Sequence, residues 1–293
     1  MKCIGLLFPL ALACTSSPFR SYSTDGGRAA NGDAAVSPSF GGDSSTSSGT
    51  FTSVSVSSSD EVCGLKTDGT IACWGNIFYP QREGTFTSVS VGSGFACGVR
   101  TDKTITCWGG DSFGNTMPPP CTFASVSTGW DFACGLKTDG TIACWGNNAF
   151  GDTTPPAGTF KSLGLSTTRG GYDCGVRTDG TIACWGNRAN GDGGLPGGTF
   201  KAVSVGCNNC PCGVKTDGTI ACCVESFQPN GTFTFINQFC AVRTDGTVDC
   251  WDHTGEMPPS DIFISVSVGS TIACGVTIEG VVNCWFVTTS CFE

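Results

Sequence analysis

The chain has 293 residues, a formal net charge of −9 and only 13% charged residues, against roughly 25% in average soluble domains. This acidic balance argues against a surface that binds DNA or RNA phosphates, which needs clustered Lys and Arg. The 21 cysteines predict an oxidising compartment, because disulfides at such density persist only outside the reducing cytosol. The length is sufficient for one large β domain.

The N-terminus has the pattern of an export signal. Residues 1–13 combine a basic start, an apolar run and a small-residue end, so they are predicted to be a signal peptide. The segment from Ala11 to Cys14 resembles a bacterial lipobox, which implies lipidation of Cys14 and an anchor at the outer membrane or cell surface. The alternative is cleavage after Ala13 without lipidation, which would release a secreted protein.

A low-complexity segment follows over residues 14–48. It is rich in Ser and Gly and lacks periodic apolar residues, so it cannot bury enough surface to fold. As a flexible tether it would span roughly 30 Å; an inert leader is the alternative. No later stretch has the ~18 apolar residues of a membrane-spanning helix, so the lipid is the one predicted contact with a membrane.

Seven cysteine pairs of constant spacing come next, each around a turn of the Thr-Asp-Gly type. In the first pair the loop Thr67-Asp68-Gly69 predicts a type I turn with a G1 bulge. Counting outward from this turn places Cys63 opposite Cys73, with Cα atoms about 4.5 Å apart. The sequence therefore predicts seven cross-strand disulfides, with reduced thiols as the alternative. The pairs are Cys63–Cys73, Cys97–Cys107, Cys134–Cys144, Cys174–Cys184, Cys212–Cys222, Cys240–Cys250 and Cys274–Cys284.

Other cysteines fall outside this pattern, and the sequence does not determine how they pair: Cys121, Cys207, Cys210, Cys223 and Cys291. The cluster from Cys207 to Cys212 is the most metal-like part of the chain, and it predicts either an extra disulfide or a thiolate site. Because each hairpin offers two thiols and no nearby histidine, we predict neither a metal nor a cofactor.

The repeat extends beyond the cysteines. Each unit opens with a Phe in an alternating, β-prone run, and most units end with a Trp directly after the second cysteine. The opening residues are Phe51, Phe86, Phe123, Phe160, Phe200, Phe233 and Phe263. Repeats of this length without helical periodicity indicate a propeller or a solenoid. We predict an all-β, seven-bladed propeller over residues 49–293, built from repeats of about 35 residues; an open β-solenoid is the alternative.

The repeat resembles a known family. The segments 89–109 and 139–147 are similar to regulator of chromosome condensation repeats, and the similarity covers residues 49 to about 288. The resemblance implies a seven-bladed propeller, and the cysteines make it more similar to secreted and cell-surface bacterial members than to the nuclear one. The family's histidine before the hairpin is absent, and its Gly-Gln-Leu-Gly tail is eroded, as at 187–192. Charge and export signal argue against the nuclear member's nucleotide-exchange and chromatin roles.

No catalytic constellation stands out. His253 is the only histidine, so a Ser-His-Asp or Cys-His system would depend on that one loop residue. The aspartates of the turns have a structural role that explains their repetition. A polysaccharide hydrolase using Asp111 with Asp131 is an alternative, and it requires roughly 5–10 Å between the carboxyls. Guanine-nucleotide exchange is a further alternative by fold analogy. We predict a non-catalytic protein.

The topology predicts two different propeller faces. One carries the turns with repeated basic residues, which we interpret as solvated hairpin tips; an electrostatic ring is the alternative. The other varies between blades and carries aromatic residues suited to anchor a partner, of which ~half are expected to be core. These candidates are Phe78, Tyr79, Phe95, Phe113, Trp130, Phe150, Tyr172 and Phe227. We predict a monomer that binds a protein or another cell-envelope macromolecule, not nucleic acid. A similar secreted propeller inhibits β-lactamases, which makes enzyme inhibition the narrower alternative.

Overall fold

The computed structural model describes residues 49–75, 82–187, 197–206, 210–223, 229–251 and 257–287. The predicted signal peptide, the lipidation of Cys14 and the tether lie outside the described residues. Within these ranges no helix is long and apolar enough to cross a membrane.

The described residues form seven three-stranded antiparallel sheets, each with its strands in sequence order. Blades 1 to 3 contain β1 Phe51–Val56, β2 Glu61–Lys66, β3 Ile71–Gly75, β4 Phe86–Gly92, β5 Phe95–Arg100, β6 Ile105–Gly109, β7 Phe123–Thr128, β8 Phe132–Lys137 and β9 Ile142–Gly146. Blades 4 and 5 contain β10 Phe160–Gly164, β11 Tyr172–Arg177, β12 Ile182–Gly186, β13 Phe200–Val205, β14 Pro211–Lys215 and β15 Ile220–Cys222. Blades 6 and 7 contain β16 Phe233–Asn237, β17 Cys240–Arg243, β18 Val248–Cys250, β19 Phe263–Val268, β20 Ile272–Thr277 and β21 Val282–Phe286.

The blades close into a ring. The first strands of all seven blades line one central cavity of about 190 Å³. Blade 7 packs on blade 1, where Cys274 and Val276 share a buried cluster with Phe51 and Val54. The predicted seven-bladed propeller is confirmed, and the solenoid alternative is wrong, because the ends of a solenoid would not meet.

The hairpin register follows from the turn. Gly69 has φ 82°, its N–H donates to Lys66 O at 2.9 Å, and the N–H of Lys66 donates to Thr70 O at 2.8 Å. Cys63 then lies opposite Cys73, with their Cα atoms 4.0 Å apart. All seven predicted disulfides form. The reduced-thiol alternative is therefore wrong for this structure.

In five blades the core contains a Phe, a Gly and a Trp from the three strands; blade 5 has Cys223 in place of the Trp, and blade 6 has Ala241 in place of the Gly. In blade 1 the rings of Phe51 and Trp74 meet edge to face, with centroids 5.9 Å apart. Gly64 lies between them, and a Cβ there would come within 2.5 Å of Phe51 Cδ1. The Cys-Gly dipeptide thus serves both sides of the sheet, since the cysteine faces the next blade and the glycine makes room for the aromatic pair.

Side chains near the cavity join neighbouring blades. The Oγ of Ser55 in blade 1 accepts a 3.0 Å hydrogen bond from the N–H of Val91 in blade 2. The same bond joins other blades, with the acceptor side chains Ser90, Ser204, Asn237 and Ser267. Blade 4 has Gly164 at this position, where a Cβ would lie 2.6 Å from Val203 O. There the two backbones approach each other directly.

The cysteines outside the repeat differ in their bonding state. Cys210 and Cys223 form a disulfide in blade 5, with Cα atoms 5.5 Å apart, as one of the two alternatives for this cluster predicts. Cys121 is a free, half-buried thiol. Cys207 and Cys291 lie outside the described residues.

Candidate functional site

Loops of two kinds share one face of the propeller. The turns between first and second strands bond to the segments that follow the third strands: the N–H of Gly110 donates to Gly94 O at 2.8 Å, and that of Asn147 to Asp131 O at 3.0 Å. The Thr-Asp-Gly turns lie at the opposite ends of the strands. We call these two surfaces the loop face and the turn face.

Two predicted anchors occupy the loop face at blades 2 and 3. Trp130 and Asp131 form the turn between β7 and β8, which is closed by a 2.9 Å hydrogen bond from the N–H of Gly129 to Phe132 O. This short turn holds Trp130 at the end of blade 3, a sheet that contains a disulfide, and leaves its side chain half-exposed. Phe113, in the connector after β6, is 48% exposed. Both residues are accessible to a partner.

Two further anchors lie at blade 4, where the loop over residues 165–171 is longer than its counterpart over residues 93–94. Phe150 packs beneath this loop, with its ring Cγ 3.3 Å from the position that a Cβ on Gly170 would take. Tyr172 opens β11 opposite Gly186. Both aromatic side chains are half-buried, so each presents one part to solvent and packs with the other.

Phe95 was predicted as an anchor, and this prediction is wrong. Its side chain is 0% exposed, and a Cβ on Gly92 would lie 2.3 Å from its Cε1. Phe95 opens β5 two residues before Cys97, and its ring is buried like that of Phe132, which opens β8 at the matching position of blade 3. Phe78, Tyr79 and Phe227 lie outside the described residues, and binding by the other anchors stays a prediction.

Blade 4 also buries two carboxyl groups that the sequence analysis missed. Asp173 is 0% exposed and Asp152 is 5% exposed. The N–H of Ser166 donates to Asp173 Oδ1 at 3.0 Å, but Asp173 Oδ2 and Asp152 Oδ1 have no hydrogen-bond partner within the described ranges. Burial raises the pKa of Asp152 to about 6. Burial, together with the nearby Asp152 charge, raises the pKa of Asp173 well above its usual value.

Alignment of the repeats on their first cysteine would have revealed this pair. Asp173 directly precedes its cysteine, where blade 3 has Ala133. Asp152 corresponds to Asn115, because each backbone oxygen accepts a hydrogen bond from the indole of the next blade. The sequence signal for this buried pair is therefore the presence of two acidic residues at positions where the neighbouring repeat has neutral residues.

Glu61 is a third buried carboxyl group, and it joins blade 1 to blade 2. It is 2% exposed, and its Oε2 accepts hydrogen bonds from the N–H of Gly94 at 2.9 Å and from Ser57 Oγ at 3.2 Å. Burial raises its pKa, and these two bonds oppose the rise. Glu61 thereby fixes two neighbouring loops of the loop face.

Asp111 and Asp131, the acids of the hydrolase alternative, differ in their surroundings. Asp111 is exposed, and its Oδ1 accepts a 3.0 Å hydrogen bond from the N–H of Thr116, which gives it a structural role in its own loop. Asp131 is half-buried in the turn beside Trp130. His253 lies outside the described residues.

On the turn face, the repeated aspartates stabilise their own turns. Asp68 Oδ1 accepts hydrogen bonds from the N–H of Thr70 at 2.8 Å and from its Oγ1 at 2.6 Å. These bonds favour the charged carboxylate and lower its pKa. The same arrangement occurs at Asp102, Asp139, Asp179, Asp217 and Asp245. The predicted structural role is confirmed.

Three arginines of the turn face are half-buried and packed on aromatic rings. The guanidinium carbon of Arg100 lies 5.0 Å from the centroid of the Phe86 ring, and Arg177 and Arg243 cover Phe rings in the same way. A Cβ on Gly84 would lie 2.4 Å from Arg100 Nη1. Their interpretation as solvated tips is therefore wrong for these three arginines, which close the ends of their blades.

Blade 7 departs from the other blades on this face. It exposes four apolar side chains, which we call the blade 7 patch: Ile262 (40%), Ile264 (48%), Ile278 (65%) and Val281 (50%). At the positions of Ile262 and Ile278, blade 1 has Thr50 and Thr67, whose hydroxyls hydrogen-bond at 2.9 Å. An apolar pair thus replaces a polar pair that other blades keep.

Comparisons with known proteins agree with the repeat pattern. Residues 86–115 and 123–152 match the family profile of the regulator of chromosome condensation (RCC1) repeat. The chain therefore carries RCC1-like repeats, and the matched segments span blades 2 and 3 with the connectors that follow them. No curated protein matches the sequence significantly.

Solved propellers are similar in fold. The CRINKLY WD40 ectodomain of the Arabidopsis thaliana receptor kinase ACR4 aligns with a TM-score of 0.67 and 21% identity, over 83% of this chain and 99% of that one. The ectodomain of the Physcomitrella patens receptor kinase CR4 gives 0.68 and 21%, over 82% and 74%. Prp20p of Saccharomyces cerevisiae gives 0.51 and 12%, over 82% and 69%. At these identities the likeness shows the fold alone.

Proposed function

We propose that this protein is an exported, non-catalytic β-propeller that binds another macromolecule through its loop face. The observation that carries the proposal is the accessible row of aromatic residues on that face. Trp130 is half-exposed on a short turn and Phe113 is exposed in the connector between β6 and β7, whereas most aromatic side chains of the repeat are buried. Large rigid aromatics at a surface are typical centres of binding energy.

The scaffold supports this role because it holds the loops in place. Each blade is closed by a disulfide across its second and third strands, and blade 5 has a second one. Each loop of the loop face has one end on a strand that such a disulfide fixes, so it loses less conformational entropy when a partner binds. A preorganised loop face on a stable ring is the usual arrangement of a recognition protein.

The disulfides also support an extracellular location, since they persist in oxidising compartments. The two plant neighbours are ectodomains of receptor kinases, and this is a property of those proteins. For this chain, the export signal and lipidation at Cys14 remain part of the proposal, as do the monomeric state and the cell-envelope partner. Metabolic labelling with a palmitate analogue, compared between the wild type and Cys14→Ser, tests the anchor separately.

Partner capture tests the binding face. The exported protein is immobilised and exposed to the native cell-envelope fraction, and the retained proteins and glycans are identified by mass spectrometry. We expect Phe113→Ala and Trp130→Ala each to lower retention of the main partner about tenfold or more. Ile278→Ala, which removes a similar exposed apolar side chain from the turn face, is the matched control. Equal retention by all three variants would overturn the proposal.

Enzyme inhibition is a narrower form of the same function. A propeller that presents rigid aromatics on one face suits the insertion of side chains into an enzyme cleft. Titration of the purified protein against a panel of secreted β-lactamases tests this form. Inhibition that is lost in Trp130→Ala and kept in Ile278→Ala would identify the protein as an inhibitor, and its absence would leave the broader binding role to the capture experiment.

A further inference from the structure

Blade 4 buries two acidic groups without a basic partner. Within the described ranges, neither Asp152 nor Asp173 contacts a Lys or Arg. The ion pair found in these ranges joins Arg243 and Asp249 in blade 6. A buried carboxylate without a partner is strongly disfavoured, and a second carboxylate nearby makes its ionisation more costly. At neutral pH this pair therefore requires either bound protons or a bound cation.

A carboxyl oxygen and a carbonyl oxygen both lie close to Gly186. The point that a Cβ on Gly186 would occupy lies 2.8 Å from the carbonyl oxygen of Gly171 and 3.0 Å from Asp152 Oδ1. Gly75 and Gly146 have the same close carbonyl oxygen in blades 1 and 3, so the added carboxyl oxygen is what distinguishes blade 4 from them.

Asp173 follows Gly171 by two positions and pairs in register with Trp185, the neighbour of Gly186. Trp185 also donates from its Nε1 to Asp152 O, and the charge of Asp152 acts on Asp173. The two buried carboxyl groups therefore lie near each other, on either side of Trp185 and Gly186.

We propose that Asp152, Asp173 and the carbonyl oxygen of Gly171 form a binding site for Ca²⁺. Calcium accepts six to eight oxygen ligands from carboxylates, carbonyls and water in a flexible arrangement, whereas Mg²⁺ demands near-octahedral geometry. No third His, Cys, Asp or Glu joins this pair to make a larger acidic cluster in the described part of the chain. The remaining ligands are therefore neutral oxygens, which suits an affinity on the order of 10⁻⁴–10⁻³ M, as in extracellular calcium modules.

The site lies directly beneath the long loop of blade 4. Ser166 is 1% exposed, and its N–H already bonds Asp173, while Gly170 lies over the Phe150 ring. A cation between the two carboxyls would hold the connector after β9 and the loop over residues 165–171 together. Calcium would therefore stabilise the part of the loop face that carries Phe150 and Tyr172.

Blade 3 supplies a matched reference within the same chain. It has Asn115 and Ala133 at the two positions, and Trp145 Nε1 donates to Asn115 O at 2.9 Å, as Trp185 does to Asp152 O at 2.8 Å. The double variant Asp152→Asn/Asp173→Ala gives blade 4 these neutral residues, so we expect it to fold. Asp139→Asn, which removes one exposed turn carboxylate, is the control for a change in net charge.

Calorimetric titration with CaCl₂ and thermal melting test the site at neutral pH, with the full-length protein freed of metal by EDTA and dialysis. We expect the wild type to bind one Ca²⁺ and its Tm to rise by roughly 3–8 °C in about 10 mM CaCl₂. The double variant should lose both effects, and Asp139→Asn should keep them. Terbium luminescence excited through Trp185 provides an independent readout of the same site.

Three results would overturn the proposal. The first is a wild type with no saturable Ca²⁺ binding and the same Tm in CaCl₂ and in EDTA. The second is a Ca²⁺ effect of equal size in the double variant, which would place the ion elsewhere. The third is a Tm that responds to pH but not to Ca²⁺, together with no terbium signal. This result would show that the two carboxyls hold protons instead of a cation.

Discussion

The indole Nε1 of Trp185 donates a 2.8 Å hydrogen bond to the backbone oxygen of Asp152. This bond brings the connector from blade 3 onto the third strand of blade 4, and it carries the Asp152 side chain inward beside Asp173. Trp145 makes the same bond to Asn115 in the preceding blade. One architectural contact therefore positions a neutral amide in blade 3 and an ionisable carboxyl in blade 4.

The first prediction concerns the pH dependence of stability in EDTA. Burial raises the pKa of Asp152 to about 6 and also raises that of Asp173, so the folded state binds more protons than the unfolded state above the ordinary aspartate pKa of 3.8. The two protonated carboxyls therefore contribute fully to the free energy of unfolding below the ordinary aspartate pKa. This contribution is lost as the pH rises through the raised pKa values of the folded state. We expect the wild type to lose free energy of unfolding, relative to Asp152→Asn/Asp173→Ala, as the pH rises from about 4 through about 6 and beyond.

Urea denaturation across this range measures the difference between the two proteins. The turn aspartates, whose pKa values are lowered, act in the opposite direction at lower pH, but they are present in both proteins and cancel in the difference. Glu61 cancels in the same way. A difference that does not change with pH would contradict the raised pKa values of the pair.

The second prediction concerns Lys103, which stands where the other aspartate-containing turns have Gly. Its φ is 69°, and Gly140 has φ 84° at the matching position of blade 3. A residue with a Cβ is strained in this region by about 1–2 kcal/mol, and the greater freedom of unfolded glycine offsets part of the relief. We expect Lys103→Gly to raise the free energy of unfolding by about 0.5–1 kcal/mol.

Chemical denaturation under non-reducing conditions measures this gain. The reverse change, Gly140→Lys, is the matched variant and should lower stability by a similar amount. If Lys103→Gly were neutral or destabilising, the left-handed conformation at this position would not hold in solution.

The third prediction concerns the hairpin disulfide of blade 1, the blade that closes the ring with blade 7. Cross-linking a loop of about ten residues removes chain entropy from the unfolded state worth about 2–3 kcal/mol. We expect Cys63→Ala/Cys73→Ala to lose that much stability in non-reducing urea. Alanine is preferred to serine because Cys63 is 0% exposed and a buried hydroxyl would add its own cost. A non-reducing peptide map of the wild type must show the Cys63–Cys73 link, or the premise fails.

The fourth prediction concerns the blade 7 patch. Ile262→Thr/Ile278→Thr restores the hydroxyl pair that Thr50 and Thr67 form in blade 1, on a surface where exposed apolar side chains promote association. We expect weaker binding of a hydrophobic fluorescent dye and a change in stability within about 0.5 kcal/mol. Thr50→Ile/Thr67→Ile is the converse variant and should increase dye binding. Equal dye fluorescence in all three proteins would show that the patch is not accessible.

Several loop assignments depended on strand boundaries that local patterns do not specify. Phe95 and Trp130 both stand shortly before a hairpin cysteine, yet the first is buried and the second is accessible. The difference arises because Phe95 stands two residues before its cysteine and opens β5, as the buried Phe132 opens β8 in blade 3, whereas Trp130 stands four residues before its cysteine, within the turn. The raised pKa of Asp173 likewise depends in part on the charge of Asp152, which precedes it by a connector, a strand and a loop, so no local window contains both.

The sequence by itself determined the register of every hairpin, and with it the disulfides, because a turn with a left-handed residue aligns strands through short-range hydrogen bonds. It also determined the number of blades, since each repeat forms one sheet. Only the tertiary structure decided that the ring closes and which loop residues remain exposed. It also decided that two carboxyls share one buried region. These features depend on contacts between blades, where the burial of a side chain is set by residues distant in the chain.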